Sequence, residues 1–363
     1  MKKIYVSLCL ALATSIGIHA QEKKPLFSTP KLSGYAIGQY QYSSQSNAKS
    51  NSFNLRMVRM AVDGRILGDF YYKLQGQING NSATLGNSPR LVDAFVEWQK
   101  LGALKIKAGQ FKRPFTFENP MHPLDQGFMG YSQNTMKLAG FTDRNGEHAS
   151  NGRDIGVQLQ GDLIKNSAGR TLLHYQVGVF NGQGINTKDV DQQKDLIGGA
   201  WVMPVKGLRI GAFGWTGSYA RKGADGIKSL KKRRYAISGE YAADDWTFRS
   251  EYIHSIGYAF KTTYNNKEDL SKADVNTAAG NRADGFYALA IAPVIKKKFH
   301  LKARYDMYRP QAEWNTCKTL YEVGADYMFT KNLQINIEYA FVNDRSLNKH
   351  NYNMIDTQFS FRF

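Results

Sequence analysis

Thiols are almost absent. Cys9 and Cys317 are the two cysteines of 363 residues. Cys9 lies in the leading apolar segment, so a chain that loses that segment keeps one thiol and forms no internal disulfide. A second long apolar run is also missing after residue 20, which excludes a helical membrane protein. The seven histidines show no H-E-x-x-H spacing. Neither a G-x-S-x-G elbow nor a phosphate-binding Gly-rich loop occurs. No catalytic, cofactor-binding or metal site is therefore read, and no nucleic-acid motif is found.

The leading segment has a basic start at Lys2 and Lys3, a largely apolar stretch over Ile4–Ile18, and a polar continuation from Gln21. That is the pattern of a secretory signal peptide, residues 1–20, cut after Ala20. Formal net charge is +18, and loss of Lys2 and Lys3 lowers it by two. A basic exported chain favours acidic partners, anionic solutes or a negative surface. Aromatics are plentiful, with 21 Tyr and 20 Phe, and glycine is abundant at 34. This suits a transmembrane β-barrel, or a secreted all-β protein.

From residue 33 the periodicity is two, not 3.6. Val58, Met60 and Val62 alternate with Arg59, Ala61 and Asp63. Tyr72, Leu74, Gly76 and Ile78 alternate with Lys73, Gln75, Gln77 and Asn79. The pattern runs to Phe359, Phe361 and Phe363 at the end, and Tyr287, Leu289 and Ile291 are read as one more outward apolar face. It gives about sixteen segments of about ten residues, the length of a tilted membrane strand. Connections alternate short (Lys100–Gly102, Ala242–Asp244, Ile295–Lys297, Thr330–Asn332) and long (Arg113–Arg153, Gly217–Lys232, Gly257–Asp284, Asn343–Asn353). Short periplasmic turns and long outer loops follow this rule, whereas a soluble sandwich has no reason to keep it. The fold class is an all-β, 16-stranded antiparallel transmembrane barrel over residues 21–363.

The stretch Gly109-Gln110-Phe111-Lys112-Arg113-Pro114-Phe115-Thr116-Phe117-Glu118 resembles the motif after strand five of the phosphate-selective porins O and P. Asp93–Glu97, Arg153–Gly156, Phe180–Gly182, Ala303–Asp306 and the terminal Phe363 resemble further segments of that family. The resemblance implies a trimeric outer-membrane porin whose third outer loop folds inward to narrow the pore. It implies Lys112 and Arg113 at the start of that loop.

Charge then divides the candidates. Between Arg113 and Arg153, Arg113, Lys137, Arg144 and Arg153 are offset by Glu118, Asp125, Asp143 and Glu147. Candidate pore residues are therefore Lys105, Lys107, Lys112 and Arg113 at the loop root, with Arg59 and Lys73 on the lumen face. Most other lumen charges, acids and bases in equal number, are read as pairs bracing the wall. The fifth outer connection carries Arg221, Lys222, Lys228, Lys231, Lys232 and Arg233 against Asp225. It is read either as a basic vestibule that gathers anions or as a grip on lipopolysaccharide and outer-membrane lipid. The function expected is passive diffusion of small hydrophilic solutes, leaning to anions such as phosphate. The alternatives are a structural or adhesive barrel with a loop-blocked lumen, and a rim hydrolase.

Overall fold

Sixteen antiparallel strands close into one barrel in the computed structural model, which describes residues 26–79, 89–141, 150–223, 226–261 and 274–363. The signal segment 1–20 lies outside the described residues. The strands are β1 Lys31–Ser43, β2 Ser50–Ile66, β3 Phe70–Gln77, β4 Arg90–Trp98, β5 Lys105–Lys112, β6 Arg153–Lys165, β7 Thr171–Phe180 and β8 Asp195–Val202. They continue as β9 Leu208–Gly223, β10 Gly226–Ala243, β11 Trp246–Ile256, β12 Arg282–Ile295, β13 Phe299–Arg309, β14 Lys318–Thr330, β15 Leu333–Asp344 and β16 Asn351–Arg362. Each strand pairs with its sequence neighbour, and β1 pairs with β16. Closure matters because lipid cannot hydrogen-bond an open strand edge. The seam is finished by the last residue: Phe363 and Gly34 exchange backbone hydrogen bonds of 3.0 and 3.1 Å.

The period-two pattern sets what faces lipid. On β2, Met60 and Val62 are exposed while Arg59 and Ala61 are buried. Aromatics mark both ends of the outer face. Tyr321 and Phe341 lie toward the outer ends of their strands, and Tyr235 is at mid-length of β10, which runs on into the basic hairpin; Trp246, Phe248, Phe329 and Phe361 lie toward the other rim. Such belts sit at headgroup depth.

Two expectations are corrected. Tyr287 and Leu289 do not face lipid: they are 0% and 5% exposed and pack, with Ile291, against Phe128 inside the barrel. Phe286, Ala288 and Ala290 take the outer face instead, because the interior here must cover an apolar loop. Gly217–Lys232 is not a loop. β9 and β10 pair without interruption from Leu208↔Tyr241 to Gly223↔Gly226, so the basic segment is a long hairpin.

One long connection, residues 113–152, leaves β5 and returns at β6; it is described over 113–141 and 150–152. It carries the helix α1, Gln133–Leu138, capped by Ser132, whose side chain accepts from the Thr135 N–H. Just before it, Gly109 has φ +127, and a Cβ there would stand 2.2 Å from the Ala94 carbonyl oxygen. Glycine alone fits where β5 crosses β4 so closely.

Candidate functional site

A loop inside a barrel has no strand beside it to take its N–H and C=O groups, yet each must be paired. The wall supplies the partners. Glu251 on β11 accepts from the N–H groups of Phe117 (2.6 Å) and Glu118 (3.1 Å). Glu338 on β15 accepts from Met129 N–H at 2.8 Å, and Asp306 on β13 accepts from Gln133 N–H at 2.8 Å. Wall cations serve the carbonyls. Lys302 donates to Gly127 O (2.9 Å), Arg304 to Gly130 O (2.9 Å) and Arg234 to Leu138 O (2.9 Å). Arg249 donates to Gln126 O and Arg56 to Met129 O. These contacts join the loop to β2, β10, β11, β13 and β15, so it lies across the lumen. Charge-assisted bonds of this kind are shorter and stronger than neutral ones.

The loop's apolar side packs on the inner wall. Phe115, Phe117 and Leu138 join Phe111, Phe180, Phe213 and Trp215 in one buried cluster. Phe115 meets Trp215 edge to face at 5.5 Å, and Phe117 meets Phe213 at 5.5 Å. The guanidinium of Arg209 lies 4.0 Å from the centre of the Phe117 ring.

Two chambers lie beside the loop. On the periplasmic side a cavity of about 270 Å³ is bounded by Arg59, Lys73, Lys107, Lys112 and Arg153, with Asp93 the carboxylate among them. On the outer side a cavity of about 480 Å³ is bounded by Arg56 and Arg304 and by Asp306, Glu322, Glu338 and Asp356.

The structure separates the six candidate pore residues. Arg59, Lys73, Lys107 and Lys112 are brought together on the periplasmic chamber. Arg59 donates from Nε to Gln77 at 3.1 Å, and its Nη2 is buried without a hydrogen-bond partner. Lys107 stands 3.4 Å from Glu97 and 4.6 Å from the centre of the Phe95 ring. Lys112 donates to Met121 O at 2.5 Å and to Tyr131 Oη at 3.0 Å. Arg113 and Lys105 are not among the residues bounding that chamber. Arg113 is buried against Asp154 (3.0 Å) and Ser150 (3.1 Å), over the Trp215 ring at 4.8 Å. Lys105 pairs with Asp162 at 3.4 Å, near the start of β5. Of the loop charges, Asp143, Arg144 and Glu147 lie outside the described residues.

The basic hairpin is divided too. Arg221 is buried over Phe260, 5.5 Å from the ring centre, and Lys232 is buried 3.5 Å from Asp195. Lys222, Lys228, Lys231 and Arg233 are exposed. Most other lumen charges pair, as with Arg304 and Glu322 (2.5 Å), Lys302 and Glu338 (2.6 Å), and Arg153 and Asp93 (2.7 Å).

His122 hangs from the loop into the periplasmic chamber. Its ring meets Tyr35 edge to face at 4.5 Å, and Nδ1 accepts from Leu124 N–H at 3.2 Å. Burial pushes its pKa from 6.5 down to about 4; Asp125 opposes the shift and Lys112 adds to it. Between those values the unfolded chain binds the proton and the folded one does not. Loop stability is therefore full above pH 6.5 and falls as pH drops toward 4. A melting temperature that declines more steeply between pH 6.5 and 4 in the parent than in His122→Gln is expected.

The family model described as phosphate-selective porin O and P matches residues 34–243, more than half of the chain. The chain belongs to this family. No curated protein matches it in sequence. Solved structures that resemble it are porin barrels. OmpF of Salmonella typhi, in a complex with daunomycin, has a TM-score of 0.62 at 12% identity, covering 92% of this chain and 97% of that one. The outer-membrane channel DcaP of Acinetobacter baumannii has 0.60 at 11%, covering 95% and 100%. The trimer form of OmpT from Vibrio cholerae has 0.59 at 13%, covering 92% and 99%. At such identities they share the fold. As a member of the porin family, the protein is an outer-membrane channel.

Proposed function

We propose that this porin passes small hydrophilic solutes by diffusion and prefers anions, inorganic phosphate among them. The observation that carries the reading is the periplasmic chamber, where Arg59, Lys73, Lys107, Lys112 and Arg153 face Asp93, itself held by Arg153. Rings of like charge at a narrow point bias which ions pass, and low-dielectric walls strengthen their field. The outer chamber is richer in acid, but Glu322 and Glu338 are neutralised there by Arg304 and Lys302. Lys222 and Lys228, exposed on the β9–β10 hairpin, would gather anions at the mouth. Residues 1–20 would direct export. Three copies would assemble, as in the trimer form of OmpT, with lipopolysaccharide and lipid around them.

Reversal potentials in a salt gradient test the preference. The parent should select anions, and Lys73→Glu should lower the anion-to-cation permeability ratio roughly fivefold, the effect of about 1 kcal/mol on a passing ion. A cation-selective parent channel would sink the anion reading. A second reading, a barrel blocked by its loop, is favoured by the apolar packing of Phe115, Phe117 and Phe128 inside the lumen. Liposome swelling with small sugars separates the two, since a blocked barrel gives none.

A further inference from the structure

On the outer wall, small residues line up across strands. Gly198 pairs directly with Gly214, and one row nearer the periplasm Ala200 pairs with Ala212. These two rows make a floor without side-chain height. A Cβ on Gly214 would meet nothing within 4 Å. Flanking strands raise the walls. Val177 stands opposite Gly198, and Tyr175 opposite Ala200, on one side. On the other, Tyr235 stands opposite Gly214 and Ile237 opposite Ala212. Val202 and Ile210, paired one row further on, close the lower end. The result is a shallow groove on the lipid-facing surface, open to the lipid, with a volume of about 740 Å³ along its upper part. From the Leu196 row to the Val202 row is six residues, about 20 Å at strand rise.

The groove's upper end is cationic. Arg233 stands opposite Thr216 in the row just above Tyr235, and Lys231 follows on the same face. Both are exposed. Tyr235 is the last aromatic on the lipid face of β10 before these two cations, so Arg233 and Lys231 sit where lipid phosphates lie. The acids of the β7–β8 connection have other partners: Asp191 accepts from the hydroxyls of Ser218 (2.9 Å) and Ser229, and Asp189 pairs with Lys194. A guanidinium over a slot of chain width matches one chemistry: a phosphorylated headgroup above an acyl chain. A second copy of this chain would need an anionic patch to meet the same residues.

We propose that this groove is a binding site for one phosphorylated outer-leaflet lipid, its acyl chain on the Gly198–Gly214 floor and its phosphate on Arg233 and Lys231. The inference rests on the outer-membrane location and is independent of ion selectivity.

The test is reconstitution of the full protein into phosphatidylcholine nanodiscs containing lipid A. After release into mild detergent, native mass spectrometry counts the lipid A retained per protomer. The parent is expected to keep one lipid A and no phosphatidylcholine. Lys231→Glu/Arg233→Glu should lower retention at least fivefold. Gly214→Leu, which fills the floor and leaves the charges, should do the same. Unchanged heat-shift of the folded band on gels shows that each variant is a closed barrel. Retention equal in all three proteins overturns the proposal. So does loss in the charge variant alone, which leaves only diffuse attraction. A change of oligomeric state in Gly214→Leu with no lipid on the parent also overturns it, since a second copy then covers the groove.

Discussion

Glu251→Ala is expected to loosen the inner loop and enlarge the channel. The substitution strips the acceptor from two loop N–H groups, those of Phe117 and Glu118. A hydrogen bond contributes about 0.5–1.5 kcal/mol with a neutral acceptor and up to about 3 kcal/mol with a charged one, so loop docking should lose about 1–6 kcal/mol. The Asn134 side chain still donates to the Glu251 carbonyl at 3.2 Å, and Arg249 on the same strand still donates to Gln126 O. Adding Asp306→Ala removes the acceptor of Gln133 N–H, at the start of α1. Single-channel conductance of the double variant should rise roughly twofold or more, with added current noise, as the constriction moves off the wall. Glu251→Gln, which keeps an acceptor oxygen, should recover part of the parent behaviour. Identical conductance in parent and double variant would show that wall carboxylates do not hold the loop.

The loop root should be the most fragile point of the fold. Arg113 and Asp154 are 3% and 0% exposed at their side chains and meet at 3.0 Å. Asp154 also accepts from Gly182 N–H at 3.1 Å, which ties the β7–β8 connection to the same carboxylate. Removing one partner of a buried pair strands the other charge, at a cost of about 3–5 kcal/mol. Asp154→Ala should therefore lower the temperature at which the folded band disappears on detergent gels. Arg113→Met/Asp154→Leu should regain most of the loss, because it removes both charges. If Asp154→Ala melts with the parent, the pair contributes nothing.

The barrel was legible in the sequence because its signal is one-dimensional. Lipid outside and water inside force an alternation that survives any detail of register, as on β2 from Val58 to Asp63. The reading failed where the interior stops being water. Tyr287 and Leu289 look lipid-facing because they are apolar, but they cover Phe128 of the loop. It failed again at a bulge. Ile37 pairs with Met57 and Gly38 with Leu55, so Arg56 is the extra residue and the alternation changes phase there. Alternation alone would therefore leave Arg56 unassigned to the lumen, where it reaches Met129 O and Gln358 (3.0 Å). The candidate site was half legible. Arg59, Lys73, Lys107 and Lys112 converge, whereas Arg113, one residue beyond Lys112, turns into the wall. A single step in sequence changes which side of a strand end a side chain takes, and composition does not record it. The basic hairpin failed for a related reason: its charges suggested a solvated loop, while alternating Arg221 and Lys232 against Lys231 and Arg233 is what a strand does.

The wall charges that hold the inner loop grip its main chain. Glu251, Glu338, Asp306, Lys302, Arg304 and Arg234 each engage a peptide N–H or C=O. Every amino acid offers those groups, proline's missing N–H aside. The docking instructions are thus written in the barrel, and the passenger segment is addressed by its path. Loop sequences that keep Phe115, Phe117, Phe128 and Leu138 against the inner wall could vary elsewhere and still be seated in the same place. The barrel behaves as a socket for the path of the loop, while the cations that line the periplasmic chamber belong to its own strands.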